Sequence, residues 1–246
     1  MSISSSLDEE RLKKLEAFQE KYGLKFSSIE LLNRAFCHTS YTNENNIDSK
    51  ESYERLEFLG DAVLKLAISS LFYDDFENYR EGNLTKMRAE IVSDRNIFEY
   101  AKKLGFEDLI LLGKNEKKHG GSRKESILAC AFEALLGAIF LEYKELGYKK
   151  ASEFLIENFK DDILKINEKI NVLNPKAILQ EYTQGLSHTL PYYNLVKEEG
   201  KEHDKTFFVD VLYENKIIGK GSAKSIKQAS QNAAKDALIK LGVIEK

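Results

Sequence analysis

The chain has 246 residues, of which 42% are hydrophobic and 31% charged, enough for one large or two ordinary domains with a sizeable core and unlike a disordered chain. Its 37 basic and 40 acidic side chains leave a net charge of −3 with histidine neutral, which excludes a uniformly basic nucleic-acid binder held by charge alone. Two isolated cysteines, Cys37 and Cys130, exclude a disulfide framework and a cysteine-built zinc site.

Residues 1–25 carry charges throughout and have no apolar stretch of the kind a secretory signal needs. Across residues 7–167 the apolar residues recur at three- and four-residue spacing, as in Leu12-Leu15-Phe18, Leu56-Leu59-Val63-Leu66 and Ile97-Tyr100-Ala101-Leu104, which predicts an all-helical segment. Within it, Glu54, Glu57 and Asp61 fall at i, i+3 and i+7, inside an arc of about 60° on one helix face, with Phe58 and Leu64 on either side. Two readings stay open: a solvated acidic stripe, or a partly desolvated cluster that needs a cation or a proton to persist.

The run 127–141 has one charged residue, Glu133. It is shorter than the ~20 residues a bilayer requires, so no membrane segment is expected and the chain reads as a soluble, cytoplasmic protein. A carboxylate in so apolar a helix must be paired, protonated or metal-bound. Oxygen-only ligands from two facing helices suit Mg²⁺ or Mn²⁺ and suit zinc poorly; such a site could activate water against a phosphodiester, and a buried ion pair is the equal alternative. Ahead of this helix, residues 117–124 (Lys-Lys-His-Gly-Gly-Ser-Arg-Lys) form a glycine-containing cationic loop, able to meet phosphates or simply to be solvated.

Residues 166–173 read as a short connection. Asn174-Pro175 then opens a helix through Ile178, Leu179 and Tyr182. Strands are predicted at 192–197, 206–213 and 216–222, with Glu214-Asn215 as the turn between the last two. Ser225-Ile226-Lys227-Gln228 has capping-box spacing and starts a helix with Ala229, Ala233, Ala237 and Leu241 on one side. The order α-β-β-β-α is a small α+β domain. Charge separates with the texture: residues 174–243 hold ten lysines against eight acids, or +2, and residues 1–173 hold 26 basic against 31 acidic side chains, or −5. The C-terminal module is the expected polyanion binder.

The run Glu54-Arg55-Leu56-Glu57-Phe58-Leu59-Gly60-Asp61-Ala62-Val63-Leu64 resembles the signature of the ribonuclease III family. His38-Thr39-Ser40-Tyr41, Glu81-Gly82-Asn83-Leu84-Thr85-Lys86-Met87-Arg88-Ala89 and Glu125-Ser126-Ile127-Leu128-Ala129 leading to Glu133-Ala134-Leu135 extend the likeness. The C-terminal module resembles the double-stranded RNA-binding domain that follows the nuclease domain in that family. The resemblance implies an all-α endonuclease domain over residues 8–166 and an α-β-β-β-α RNA-binding domain over 174–243. It implies a homodimeric, Mg²⁺-dependent endonuclease, with Mn²⁺ able to substitute, that cuts double-stranded RNA to leave 5′-phosphates and matures ribosomal and messenger RNA precursors. Position by position, Asp61 and Glu133 match the catalytic pair; Glu57, Asp61 and Glu133 match metal ligands; Glu54 and Glu81 match further acids near the cleft. Gln180, Glu181 and Gln184 match the minor-groove face of the first helix, His203 the loop that enters the next minor groove, and Lys224 and Lys227 the phosphate contacts. The signature helix also lies at the family's dimer interface.

Two residues depart from the pattern. Cys130 stands where the family has a metal-binding Asp three residues before its catalytic Glu, and a protonated thiol is a poor Mg²⁺ ligand. Ile226 stands where the phosphate-binding run usually offers another lysine, a change expected to lower RNA affinity and its salt dependence. Cys130 is read either as a small apolar side chain, leaving Glu57, Asp61, Glu133 and water to hold the ion, or as the lesion that turns the protein into a duplex-binding protein that does not cut.

Overall fold

The computed structural model describes residues 3–77, 79, 81–173, 175–187, 189–201 and 204–244, and the chain divides into two units, Met1–Ile163 and Leu164–Lys246. The first unit is helical: α1 Glu9–Lys21, α2 Ile29–Ala35, α3 Thr39–Glu44, α4 Glu54–Asp75, α5 Glu81–Ile91, α6 Asp94–Lys103, α7 Lys114–Lys118, α8 Glu125–Glu142 and most of α9 Gly147–Leu173. Helix α8 is its axis. Eleven of its residues, from Ile127 to Ile139, are buried, as a helix apolar on every side must be, and α2, α4 and α6 pack around it. Phe132 of α8 joins Tyr100, Phe106 and Phe159 in one aromatic cluster, which Phe18 and Phe36 extend by edge contacts.

The predicted apolar spacing of α1 is realised with one change. Its buried face is Arg11, Leu15 and Phe18. Arg11 is 7% exposed because its Nε reaches Asn33 Oδ1 at 2.8 Å and a terminal nitrogen reaches the Leu109 carbonyl at 2.5 Å, and burial lowers its pKa to about 10. Residues 166–173, read as a connection, are instead the last turns of α9: nothing in Ile-Asn-Glu-Lys-Ile-Asn-Val-Leu breaks a helix, and the stop comes only with Pro175. Among the described residues no helix is long and apolar enough to cross a membrane.

In the second unit α10 Pro175–Ser187 precedes an antiparallel sheet of order β1-β2-β3, formed by Tyr192–Glu199, Thr206–Tyr213 and Lys216–Ala223, and α11 Ile226–Lys240 follows. Pro175 opens its helix as expected, while Asn174 lies outside the described residues. The outer strands run slightly past the predicted ends. Glu214 and Asn215 make the two-residue turn, both with positive φ (48° and 62°), the conformation a tight hairpin requires. Ser225 caps α11, accepting the Gln228 N–H. The core is Leu179, Val209 and Val211 against Ala229, Ala233, Ala234, Ala237 and Leu238. Small residues on both sides let α11 lie flat on β3: an added Cβ at Gly219 would stand 2.4 Å from the Ala233 carbonyl oxygen, and one at Gly221 2.2 Å from the Ala233 nitrogen.

Candidate active site

Helices α4 and α8 touch backbone to backbone. A Cβ on Gly60 would sit 1.7 Å from the carbonyl oxygen of Glu133, and one on Gly137 2.2 Å from that of Leu56. Gly60 falls between Glu57 and Asp61 in α4, so the glycine contact brings two α4 acids beside the one acid in the buried middle of α8. The start of α4 is tied down separately: the Tyr53 N–H bonds the Cys37 carbonyl at 2.8 Å, and residue 37 is bridged to Leu111. The acids border the core on one side only, since Leu64 is buried whereas Phe58 is 83% exposed.

The electrostatics follow from this crowding. Burial pushes the Glu133 carboxyl up to about 8, with the negative charges of Asp61, Glu57 and Asp94 adding to the effect and Lys65 opposing it. Burial also raises Glu57; a hydrogen bond from Cys130 opposes that rise, and Glu54, Asp61 and Asp94 reinforce it. Cys130 is pushed up to about 12 by burial and by the neighbouring Glu57 and Glu133, so it is a thiol at neutral pH. Asp61 Oδ2 receives the Lys65 ammonium at 2.7 Å.

Glu57 and Asp61 therefore act on Glu133, and Glu54 and Asp61 act on Glu57. Glu81, at the start of α5, bonds Thr85 Oγ1 at 2.8 Å and is not among the groups that shift Glu133. Asp94, the first residue of α6, was missed. Ser93-Asp94 is a readable helix start, but nothing in the sequence signals that α6 delivers this charge to the α4–α8 cleft. Among the described residues no three His, Cys, Asp or Glu side chains are already gathered to hold an ion; Asp61 is turned to Lys65. The donor chemistry still fits a hard divalent cation, because the grouped oxygen donors repel one another and Lys65 pairs with Asp61 alone among them.

His38 has a structural part. Its Nδ1 accepts the Ser40 N–H at 3.1 Å and caps α3, burial lowers its pKa, and Ser40 Oγ accepts the Gly113 N–H at 3.0 Å. The cationic run 117–124 is partly helical. Lys124 pairs with Glu116 at 2.5 Å and Arg123 with Glu107 at 3.4 Å, so two of its cations are already engaged.

In the second unit Gln180 is exposed and Glu181 and Gln184 half-buried on α10, which packs beside α11. Lys224 and Lys227 are exposed at the start of α11, and Lys224 Nζ rests on Asp204 Oδ1 at 2.6 Å. His203 lies outside the described residues. Ile226 is exposed beside these lysines.

The proton on Glu133 has a measurable consequence. Its carboxyl holds that proton up to about 8 in the fold, against 4.5 ordinarily, so it contributes stability below the ordinary value that is lost as pH rises through the folded one. The melting temperature of metal-free protein is expected to fall between about pH 5 and about pH 8.5, and Glu133→Gln to flatten that slope. Equal slopes in the two proteins would refute the assignment.

Comparison with known proteins matches residues 28–163 to a Ribonuclease-III-like family model and residues 175–241 to a double-stranded RNA binding motif. A Treponema denticola protein named Ribonuclease 3 is 39% identical over 235 residues, covering 96% of this chain and 94% of its own. One of the same name from Enterococcus faecalis is 43% identical over 220 residues, covering 89% and 94%. Among solved structures, the nuclease domain of ribonuclease III from Campylobacter jejuni superposes with a TM-score of 0.53 at 35% identity, covering 59% of this chain and 99% of that one; it is described as flexible in a region involved in its dimer formation.

Proposed function

Because this chain belongs to the ribonuclease III family of endoribonucleases and carries a double-stranded RNA-binding domain, we propose that it hydrolyses duplex RNA at the α4–α8 cleft, with Asp61 and Glu133 as the catalytic pair. The observation that carries the reading is the Glu133 carboxyl, held in a cleft by a backbone-to-backbone helix contact and pushed up to about 8 among three other acids. Glu57, Asp61 and Glu133 would hold Mg²⁺, or Mn²⁺ in its place, with Glu54 at the margin and Glu81 beyond it. Bound there, the ion supplies Lewis acidity and a water acidic enough to attack a phosphodiester near neutral pH. Glu133 can keep or release a proton on its carboxyl within the working pH range. Asp61 must leave Lys65 to contribute its oxygens. The products in this reading carry 5′-phosphates, and the substrates are structured ribosomal and messenger RNA precursors.

The endonuclease domain in this reading spans 8–166 and the RNA-binding domain 174–243. Gln180, Glu181, Gln184 and His203 would meet minor grooves, and Lys224 and Lys227 the phosphates. Duplex RNA is recognised mainly by shape, 2′-hydroxyls and backbone, so a module of charge +2 suffices. Phe58, Leu66 and Tyr73 stand exposed along one side of α4, an apolar stripe that supports a homodimer formed on that helix.

The test is incubation of purified protein with long duplex RNA and Mg²⁺ or Mn²⁺, with the product ends analysed. Fragments bearing 5′-phosphates are expected, and duplex left intact with both ions would end the proposal. Cys130→Asp separates a working site from a lamed one: an unchanged rate shows the thiol to be tolerated, whereas a rise of about tenfold or more would favour the reading in which the native protein chiefly holds duplex RNA.

A further inference from the structure

Arg11 is buried on α1 beside Leu15 and Phe18, and its guanidinium meets neutral acceptors, Asn33 Oδ1 of α2 at 2.8 Å and the Leu109 carbonyl at 2.5 Å. Its other terminal nitrogen is buried without a hydrogen-bond partner among the described residues. A buried cation bonded by neutral groups is a poor stabiliser, since desolvation opposes what the bonds return. What it holds is geometry. Asn33 is wholly buried and engaged at both ends, its amide nitrogen donating to Ser6 Oγ at 2.9 Å, so the contact has a fixed anchor on α2. Three residues on, the Phe36 ring centroid lies 5.9 Å from the guanidinium carbon.

Arg11 thus touches both segments that form the parallel bridge between Cys37 and Leu111. In that bridge the Phe36 carbonyl accepts the Leu111 N–H at 2.7 Å, and the Leu111 carbonyl accepts the His38 N–H at 3.1 Å. The Cys37 carbonyl between them accepts the Tyr53 N–H at 2.8 Å, and Tyr53 leads directly into the first turn of α4, with Glu54 and Glu57. We propose that Arg11 is a positioning residue for cleavage: by clamping Leu109 to α2 it fixes the bridge, and through the Cys37 carbonyl the bridge fixes where α4 begins beside α8. The inference rests on the reading of the α4–α8 cleft as the catalytic site.

The test uses full-length protein and compares two variants on one helix face. Arg11→Met keeps an unbranched side chain and removes both donors, whereas Leu15→Ala opens a cavity and leaves the clamp intact. Amide hydrogen exchange, read by NMR, reports the opening of individual bonds. Arg11→Met is expected to speed exchange at Leu111, His38 and Tyr53 about tenfold more than at the amides of α8, and Leu15→Ala to raise exchange evenly. In steady-state cleavage of a defined duplex, at a temperature where every variant is folded, Arg11→Met should lower kcat about tenfold with KM within about twofold. Leu15→Ala should keep kcat within about twofold. An exchange pattern in Arg11→Met that matches Leu15→Ala overturns the clamp. Selective exchange with an unchanged kcat overturns the positioning role. Native protein that leaves duplex intact ends the cleavage reading and the positioning role with it, while the exchange contrast still decides the clamp. Should Arg11→Met fold poorly, Arg11→Lys keeps the charge and a single donor group, and the same three amides should exchange about threefold faster; even exchange there overturns the proposal.

Discussion

Glu133→Gln is expected to slow duplex cleavage by about three orders of magnitude at saturating metal, or roughly 4 kcal/mol of transition-state stabilisation, with duplex affinity left near its native value. Glutamine matches glutamate in volume and hydrogen-bonding reach, so the α4–α8 contact survives the change. What it loses is the negative charge and the ability to take or give a proton. In the native cleft that ability is tuned: burial, with Asp61, Glu57 and Asp94 adding to it, brings the carboxyl to about 8, where it changes charge close to neutral pH. Asp61→Asn should give a loss of the same order, because Asp61 supplies the largest of the charge effects on Glu133. Steady-state cleavage of a defined duplex, beside a gel-shift titration, reads both quantities. Activity within tenfold of native in Glu133→Gln would remove this residue from the chemistry.

Gly60→Ala should damage the protein through packing. Alanine in a helix interior normally gains about 1 kcal/mol over glycine, so a solvent-facing substitution would stabilise. Here the new methyl would stand 1.7 Å from the Glu133 carbonyl oxygen, far inside van der Waals contact, and its neighbour is backbone that cannot swing aside. The helices must part by more than an ångström, and overpacking of this kind costs about 3 kcal/mol. The steric term wins, and a fall in melting temperature of roughly 5–10 °C is expected, with loss of cleavage because Glu133 recedes from Glu57 and Asp61. Circular dichroism melting checks it; a melting temperature equal to or above the native one would show that the crossing is looser than described.

What was legible in the chain follows from local physics. Pro175 and Ser225 mark helix starts by their own backbone and capping chemistry, Glu214-Asn215 marks a hairpin, and the i, i+3, i+7 spacing sets Glu54, Glu57 and Asp61 on one face whatever lies opposite. Residues that act across elements were illegible. Asp94 sits at an ordinary helix start, and its charge enters the cleft only through the way α6 packs on α8. Arg11 is buried because Asn33 and the Leu109 carbonyl meet it from other segments. The end of α9 was lost for the opposite reason: polar, charged residues suggested a connection where only the absence of a helix breaker mattered.

The alanine face of α11 has a thermodynamic consequence. Ala229, Ala233, Ala234 and Ala237 are wholly buried against a strand that carries Gly219 and Gly221. Alanine and glycine have no rotamers to lose, whereas burying a lysine or glutamine costs about 1.5–2 kcal/mol of side-chain entropy. The small module therefore folds with little of that cost, and in the proposed reading long side chains exposed at its surface, Gln180 and Lys227 among them, keep their freedom until a duplex arrives. Ordering is deferred from folding to binding, so RNA association should carry an unfavourable entropy of side-chain immobilisation that counterion release must offset.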